Sequence, residues 1–339
     1  MDFKDLTREE RKEALAGLGE KSFREKQIFS WICKGASSFS EMTDLSAALR
    51  EKLASAYSFE KARVEQRQKS SDGTEKYLIA FPDGQYAEAV FMKYSYGNSL
   101  CISTQVGCNM RCSFCASGID GKVRDLKAWE ILEEYLLCRK TSGQEINHIV
   151  LMGMGEPFDN YKNVSEFLRQ IHSPEGIGLS YRNITLSTCG LVPYIERFTE
   201  DFPQVNLAIS LHSAVQSERE KLMPVAKAYP LERLIPACKA HAEKTGRRIT
   251  FEYALIKDKN DSNKNAEEIA ALLRGINCHV NLIPLNPVTE SGMQTVTRGF
   301  AHGFAEKLES LGIPCTVRRQ LGADIDAACG QLRKKHIKA

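Results

Sequence analysis

Between residues 98 and 319 the chain alternates short β-branched runs with amphipathic helical runs, and this period most constrains its fold. Strand-like SLCISTQVG is followed by a helical KAWEILEEYLLCRK, INHIVLMG by KNVSEFLRQIH, and NITLST by VPYIERFTE. VNLAISL then precedes SEREKLM and LERLIPACKAHAEK, RITFEYALI precedes NAEEIAALLRG, and HVNLIPLN precedes RGFAHGFAEKLESLG. Six such units imply parallel strands covered by their own crossover helices, an α/β class. Six suit an incomplete (β/α)6 barrel better than the closed eight-unit form.

Two smaller regions precede this core. Residues 1–58 read as a helical unit. Thr7 and Glu10 form a capping box before RKEALAGLG, FREKQIFSWICKG sets Phe23, Ile28, Trp31 and Ile32 on one side, and LSAALREKLASAY follows. Residues 59–97 read as a β-meander turning at Asp72-Gly73 and Asp83-Gly84. Residues 320–339 form a separate C-terminal segment.

In parallel α/β folds ligands bind at the carboxyl ends of the strands. The chain's notable residues fall there. QVGCNMRCSFCASG carries Cys108, Cys112 and Cys115 as C-x3-C-x2-C after the first strand, with no fourth cysteine at ligand spacing. Closed zinc or iron–sulfur sites ordinarily use four ligands. Three thiolates can hold three irons of a [4Fe–4S] cluster and leave the fourth open to a small molecule. A structural metal knuckle, or three core cysteines, is the competing reading.

GMGEP places Gly155 and Glu156 after the second strand; its glycines admit close approach of a ligand, and Glu156 can accept from an amine or hydroxyl. Ser187 ends the third strand, Ser210, Leu211 and His212 the fourth, and Asn286 follows the sixth. Convergence of five strand ends on one rim argues for a single pocket, although each alone is equally a turn glycine, helix cap or core histidine. Of the eleven cysteines, Cys33, Cys138, Cys189, Cys238, Cys278 and Cys315 read as small core hydrophobes. Cys101 and Cys329 remain, the latter among small residues in GADIDAACGQL, with arginines and Arg333-Lys334-Lys335 as a candidate phosphate flank.

A net charge of +3 does not by itself argue for a nucleic-acid partner. No apolar run approaches the roughly 18 residues of a membrane span, and the charged N-terminus lacks a signal peptide's apolar stretch, so a cytoplasmic protein is expected.

The triplet, GMGEP, SLH, LNP and above all GADIDAACGQL together resemble the RlmN/Cfr family of radical S-adenosylmethionine (SAM) RNA methyltransferases, over residues 7–335. The resemblance implies a radical SAM partial barrel with an N-terminal RNA-contacting accessory domain. It implies one [4Fe–4S] cluster on Cys108, Cys112 and Cys115, with Gly155, Glu156, Ser187, Ser210, Leu211, His212 and Asn286 around SAM. Two SAM molecules would be used per turnover. One would methylate Cys329; the other would supply the radical that activates the thiomethyl group for addition to an adenine carbon. Cys101 then matches the resolving thiol that forms a disulfide with Cys329 as the RNA is released, and Glu88 matches the proton acceptor. On strand pattern alone Glu88 reads as an outward-facing carboxylate.

The expected partners are 23S rRNA before full ribosome assembly, tRNA, and an electron donor such as flavodoxin or ferredoxin. QVGC, the proline of GMGEP and LIPLNP favour the RlmN type, acting at adenine C2, over the Cfr type, acting at C8. A non-catalytic zinc-binding RNA module and a radical SAM enzyme with a protein or small-molecule substrate are the alternatives.

Overall fold

The computed structural model describes residues 1–285, 292–322, 324–325 and 330–338. The N-terminal unit contains α1 (Arg8–Gly17), α2 (Arg24–Cys33) and α3 (Ala47–Ala56). The expected capping box forms: the Thr7 side chain accepts from Glu10 N, and the Glu10 carboxylate accepts from Thr7 N. On α2 the inward side is Ile28, Phe29, Ile32 and Cys33, whereas Phe23 is half exposed. Phe23 stands at the helix N-cap, before the helical period begins, and its ring lies under the Arg24 guanidinium.

The meander follows as β1 (Arg63–Lys69), β2 (Glu75–Ala80) and β3 (Tyr86–Tyr94), turning at Gly73 and Gly84, both at positive φ. It leads antiparallel into β4 (Gly97–Cys101). The chain then leaves the sheet. β5 (Gln105–Gly107) and β6 (Lys122–Asp125) form their own antiparallel ribbon, with the cysteine triplet between them. SLCISTQVG is therefore two short strands, not one. The break lies where Thr104 N and Gln105 N both donate to Met154 O, 2.8 and 3.2 Å away, so this backbone serves the next strand's loop instead of the ladder.

The alternation is otherwise as the sequence indicates. α4 (Ala128–Ser142), β7 (His148–Leu151), α5 (Tyr161–His172), β8 (Ile184–Thr188) and α6 (Val192–Asp201) come first. Then come β9 (Asn206–Ser210), α7 (Gln216–Leu222), α8 (Leu231–Thr245), β10 (Ile249–Leu255), α9 (Asn263–Leu273), β11 (Cys278–Pro284), α10 (Arg298–Ser310) and β12 (Cys315–Val317). Among the described residues one ten-stranded sheet results, in the order β1-β2-β3-β4-β7-β8-β9-β10-β11-β12, with β4 and β7 through β12 parallel. β12 adds a closing strand beyond the sixth helix. The main core lies between the sheet and its helices; a small second cluster of Val90, Met92 and Cys101 lies on the opposite, inner face, with Val150, Met152 and Leu321 against it. A last helix, α11 (Gln331–Lys338), returns to β3, where Tyr86 meets His336 edge-on. Among the described residues no helix is long and apolar enough to cross a membrane.

Candidate active site

The triplet loop is closed on itself and anchored from two directions. Cys108 N donates to Gly121 O at 3.2 Å, which closes the ribbon over the loop, and Cys115 N donates to Cys112 O at 3.1 Å. Ser113 N donates to Leu222 O at 2.9 Å, tying the loop to the end of α7. Cys108 is buried, Cys112 and Cys115 half-buried. Burial pushes the Cys108 thiol up to about 12 and the Cys112 thiol well above its ordinary range. Such thiols become ligands only where metal cations stabilise the thiolate. Three sulfur donors on one loop fit an iron–sulfur cluster, one sulfur to each of three irons. Among the described residues no three His, Cys, Asp or Glu side chains gather tightly enough to share a single ion.

The rim residues divide by what their side chains do. Gly153 and Gly155 admit the chain's own backbone: a Cβ at Gly153 would stand 2.5 Å from Ile102 O, and one at Gly155 2.8 Å from Gln105 N. Their small size lets the loop after β7 lie against the segment leaving β4. Glu156 is 3 % exposed, and its carboxylate accepts from Phe158 N (3.1 Å) and Cys189 N (2.8 Å), so it joins the ends of β7 and β8. Ser187 and Ser210 are half-buried at the ends of β8 and β9. Leu211 is fully buried.

His212 adopts a left-handed φ of 55°. Its Nδ1 accepts from Ala254 N at 2.9 Å, which leaves the ring proton on Nε2, and burial pushes its pKa down to about 3. It is a fixed neutral donor, with Phe114 of the triplet loop edge-on at 4.7 Å. Asn260 locks the turn by donating to His212 O at 2.8 Å and Ala254 O at 2.7 Å. Asn286 and Cys329 lie outside the described residues.

Glu88 overturns the strand-pattern reading. It is buried, not outward, on the inner face of β3, where Lys76 Nζ contacts it at 2.8 Å. Its carboxylate accepts from Gly330 N at 2.6 Å and Arg333 N at 2.7 Å, capping α11. Cys101 is buried on the same face, because it pairs in register with Val90 two residues along from Glu88. Gly330 also touches the triplet loop: a Cβ there would lie 2.9 Å from Ser117 N. The structure thus brings Glu88, Cys101, the cysteine loop and the residue following Cys329 into one neighbourhood. Among the described cysteines there is no disulfide.

Sequence reasoning missed Lys76, Gln105, Asn260 and Arg219, all buried here. Lys76 alternates with Leu78 and Ala80 in EKYLIA, a charge on an otherwise apolar face, and that was a usable signal. Arg219 lies in SEREKLM, where it looks like any solvated helix charge.

Comparison with known proteins identifies the family. Residues 1–58 match the ribosomal RNA large subunit methyltransferase N-terminal domain, and residues 102–273 match the radical SAM superfamily. A probable dual-specificity RNA methyltransferase RlmN of Thermoanaerobacter sp. (strain X514) is 49% identical over 339 residues, 99% of each chain. The chain belongs to the RlmN family. A probable dual-specificity RNA methyltransferase RlmN of Clostridioides difficile (strain 630) is 45% identical over 334 residues, 98% of this chain and 97% of that one. The crystal structure of a radical SAM methyltransferase from Sphaerobacter thermophilus superposes with a TM-score of 0.91 at 43% identity, covering 98% of both chains. RlmN-family membership makes this chain a SAM-dependent RNA methyltransferase of the radical SAM class, with the partial-barrel fold its strand order displays.

Proposed function

We propose that this protein methylates C2 of a peptidyl-transferase-centre adenosine of 23S rRNA and of the anticodon-adjacent adenosine of some tRNAs, in the cytoplasm. The observation that carries this reading is the double hydrogen bond from Gly330 N and Arg333 N to Glu88, which seats the residue after Cys329 against the cysteine loop. The dual specificity named for the relatives supports both RNA classes. It also favours the RlmN type over a C8-acting Cfr type.

In this reading residues 1–58 and 59–97 present RNA to a partial barrel of residues 98–319, and residues 320–339 carry the methyl-accepting thiol. A cavity of about 1270 Å³ at the seam, lined by Lys34, Lys61, Arg63 and Lys140 among others, offers cations for RNA phosphates. Cys108, Cys112 and Cys115 would hold the cluster; Gly155, Glu156, Ser187, Ser210, Leu211, His212 and Asn286 would surround SAM. When bound, the cluster and SAM supply the methyl group and the radical, an electron coming from a donor such as flavodoxin or ferredoxin. Cys329 carries the carbon as a thioether. Its sulfur bonds through that carbon to the adenine until the adduct would return one electron to the electron-transfer site and Glu88 would accept the ring proton. Cys101 thiolate would then attack the Cys329 sulfur, forming a disulfide as the sulfur–carbon bond breaks, and the freed carbon, taking the bonding pair, would gain a proton and leave as the methyl group of the base.

Mass spectrometry of nucleosides from treated 23S rRNA and tRNA tests the reading. 2-Methyladenosine is expected from both RNAs, absent with C329A, and C101A should accumulate protein crosslinked to RNA. An 8-methyladenosine product would overturn the regiochemistry, and free product at the wild-type rate from C101A would overturn the resolving role.

A further inference from the structure

Arg219 on α7 is completely buried. Its Nε donates to Leu211 O at 3.1 Å, and its Nη2 donates to Cys189 O at 2.8 Å and Ser210 O at 3.1 Å. All three acceptors are neutral carbonyls at the ends of β8 and β9. Nη1 is buried with no hydrogen-bond partner among the described residues. An arginine stays charged even where burial opposes it, so the protein holds a whole positive charge here at a desolvation cost.

The surroundings indicate what that charge serves. α7 also supplies Leu222 O, which accepts from Ser113 between Cys112 and Cys115. The buried carboxylate of Glu156 is linked to Arg219 through the backbone of Cys189, whose N–H faces Glu156 and whose C=O faces Arg219. Arg219 lies close enough to Cys112 of the triplet and to His212 for its charge to act on both. Three thiolates already make a cluster site anionic, and one-electron reduction adds a further negative charge. A fixed cation nearby stabilises the reduced form more than the oxidised one, and net charge and local environment are what set such potentials.

We propose that Arg219 is the built-in counter-charge of the cysteine-triplet site, a positioning residue that raises the electron affinity of the cluster held there. The inference rests on the cluster assignment made above. It extends that assignment to a residue outside the triplet and the SAM rim.

The test is a potentiometric titration of anaerobically reconstituted holoenzyme, with dithionite as reductant, viologen mediators and the reduced cluster read by electron paramagnetic resonance. R219M is expected to retain iron and sulfide but to show at least a tenfold lower reduced-to-oxidised ratio at a fixed poise, a shift of about 59 mV for a one-electron couple. A clamp with no electrostatic role would lower thermal stability and leave the potential in place, which would overturn the inference. R219K decides the matter if R219M does not fold. The buried amine it introduces loses its proton far more readily than a guanidinium. Its potential should therefore match wild type at low pH and fall as pH rises, beyond any drift of the wild-type control, which contains the same Cys112, Cys189, Cys238, His212 and Glu156. A pH profile superposable on wild type would refute the proposal. Wild-type protein that takes up no iron–sulfur cluster would instead refute the cluster assignment itself.

Discussion

At the scale of the residue, Glu88 is one carboxylate that holds the site together and that the proposed function also asks to react. It receives two backbone N–H groups and the Lys76 ammonium while 3 % exposed. In its proposed role as proton acceptor it would become a neutral acid that holds all three donors less strongly, and those from Gly330 and Arg333 belong to the segment beside Cys329. In that role, proton acceptance would be coupled to the seating of α11. E88A removes every acceptor and leaves the Lys76 charge in the interior without this carboxylate. The expected cost is about 3–5 kcal/mol in urea unfolding, with faster hydrogen exchange at the Gly330 and Arg333 amides. Unchanged exchange at those two amides would show that Glu88 does not seat the helix. The residue was only half legible: alternation along YAEAVF says that Glu88 and Ala89 face opposite ways, but not which face the C-terminal segment will cover. Burial of Glu88 is decided by α11, some 240 residues later in the chain.

Legibility improves at the scale of the element, because helices and parallel strands announce themselves by period and caps. The six strand–helix pairs were readable for that reason. What periodicity could not show is where the first strand stops, since Ile102 to Gly107 continues the same apolar alternation after leaving the sheet. The decision belongs to the loop after β7, whose Met154 carbonyl captures two of those amides, and to Gly153, whose N–H donates to Ile102 O at 3.0 Å. The glycines of GMGEP therefore fit backbone to backbone, which a sequence cannot distinguish from room left for a ligand. G153A drives a methyl to 2.5 Å from a carbonyl oxygen that is itself hydrogen-bonded, so the strands must part. We expect a loss of about 1–3 kcal/mol, as for other overpacked sites, and weaker SAM binding by calorimetry, since Glu156 follows three residues on. Wild-type stability in G153A would mean that this junction yields freely.

Across the whole molecule, the arrangement depends on how the N-terminal unit is fastened to the barrel. Lys4 is 3 % exposed, pairs with Glu133 of α4 at 2.5 Å, and lies 4.0 Å over Trp129 and 4.9 Å over Phe59. Asp5 accepts from Trp129 Nε1 at 2.7 Å and Lys127 Nζ at 2.8 Å, and Glu175 reaches back to Arg8 and Lys26. In sequence these residues are ordinary surface charges; only packing against the α4 face turns Lys4 inward. A buried pair of this kind fixes geometry more than it adds stability, because both ions have given up water. K4M alone leaves a carboxylate whose pKa burial already raises, and E133L alone leaves an ammonium between two aromatic rings. Each single change should cost about 3–5 kcal/mol, whereas the K4M/E133L pair should cost clearly less than their sum, an interaction of about 0.5–3 kcal/mol in a double-mutant cycle. Methylation kinetics separate fastening from stability. If the seam orients RNA, the double variant recovers its folding transition but keeps a raised KM for RNA. Recovery of both together would show that the pair contributes stability alone and that RNA is held without it.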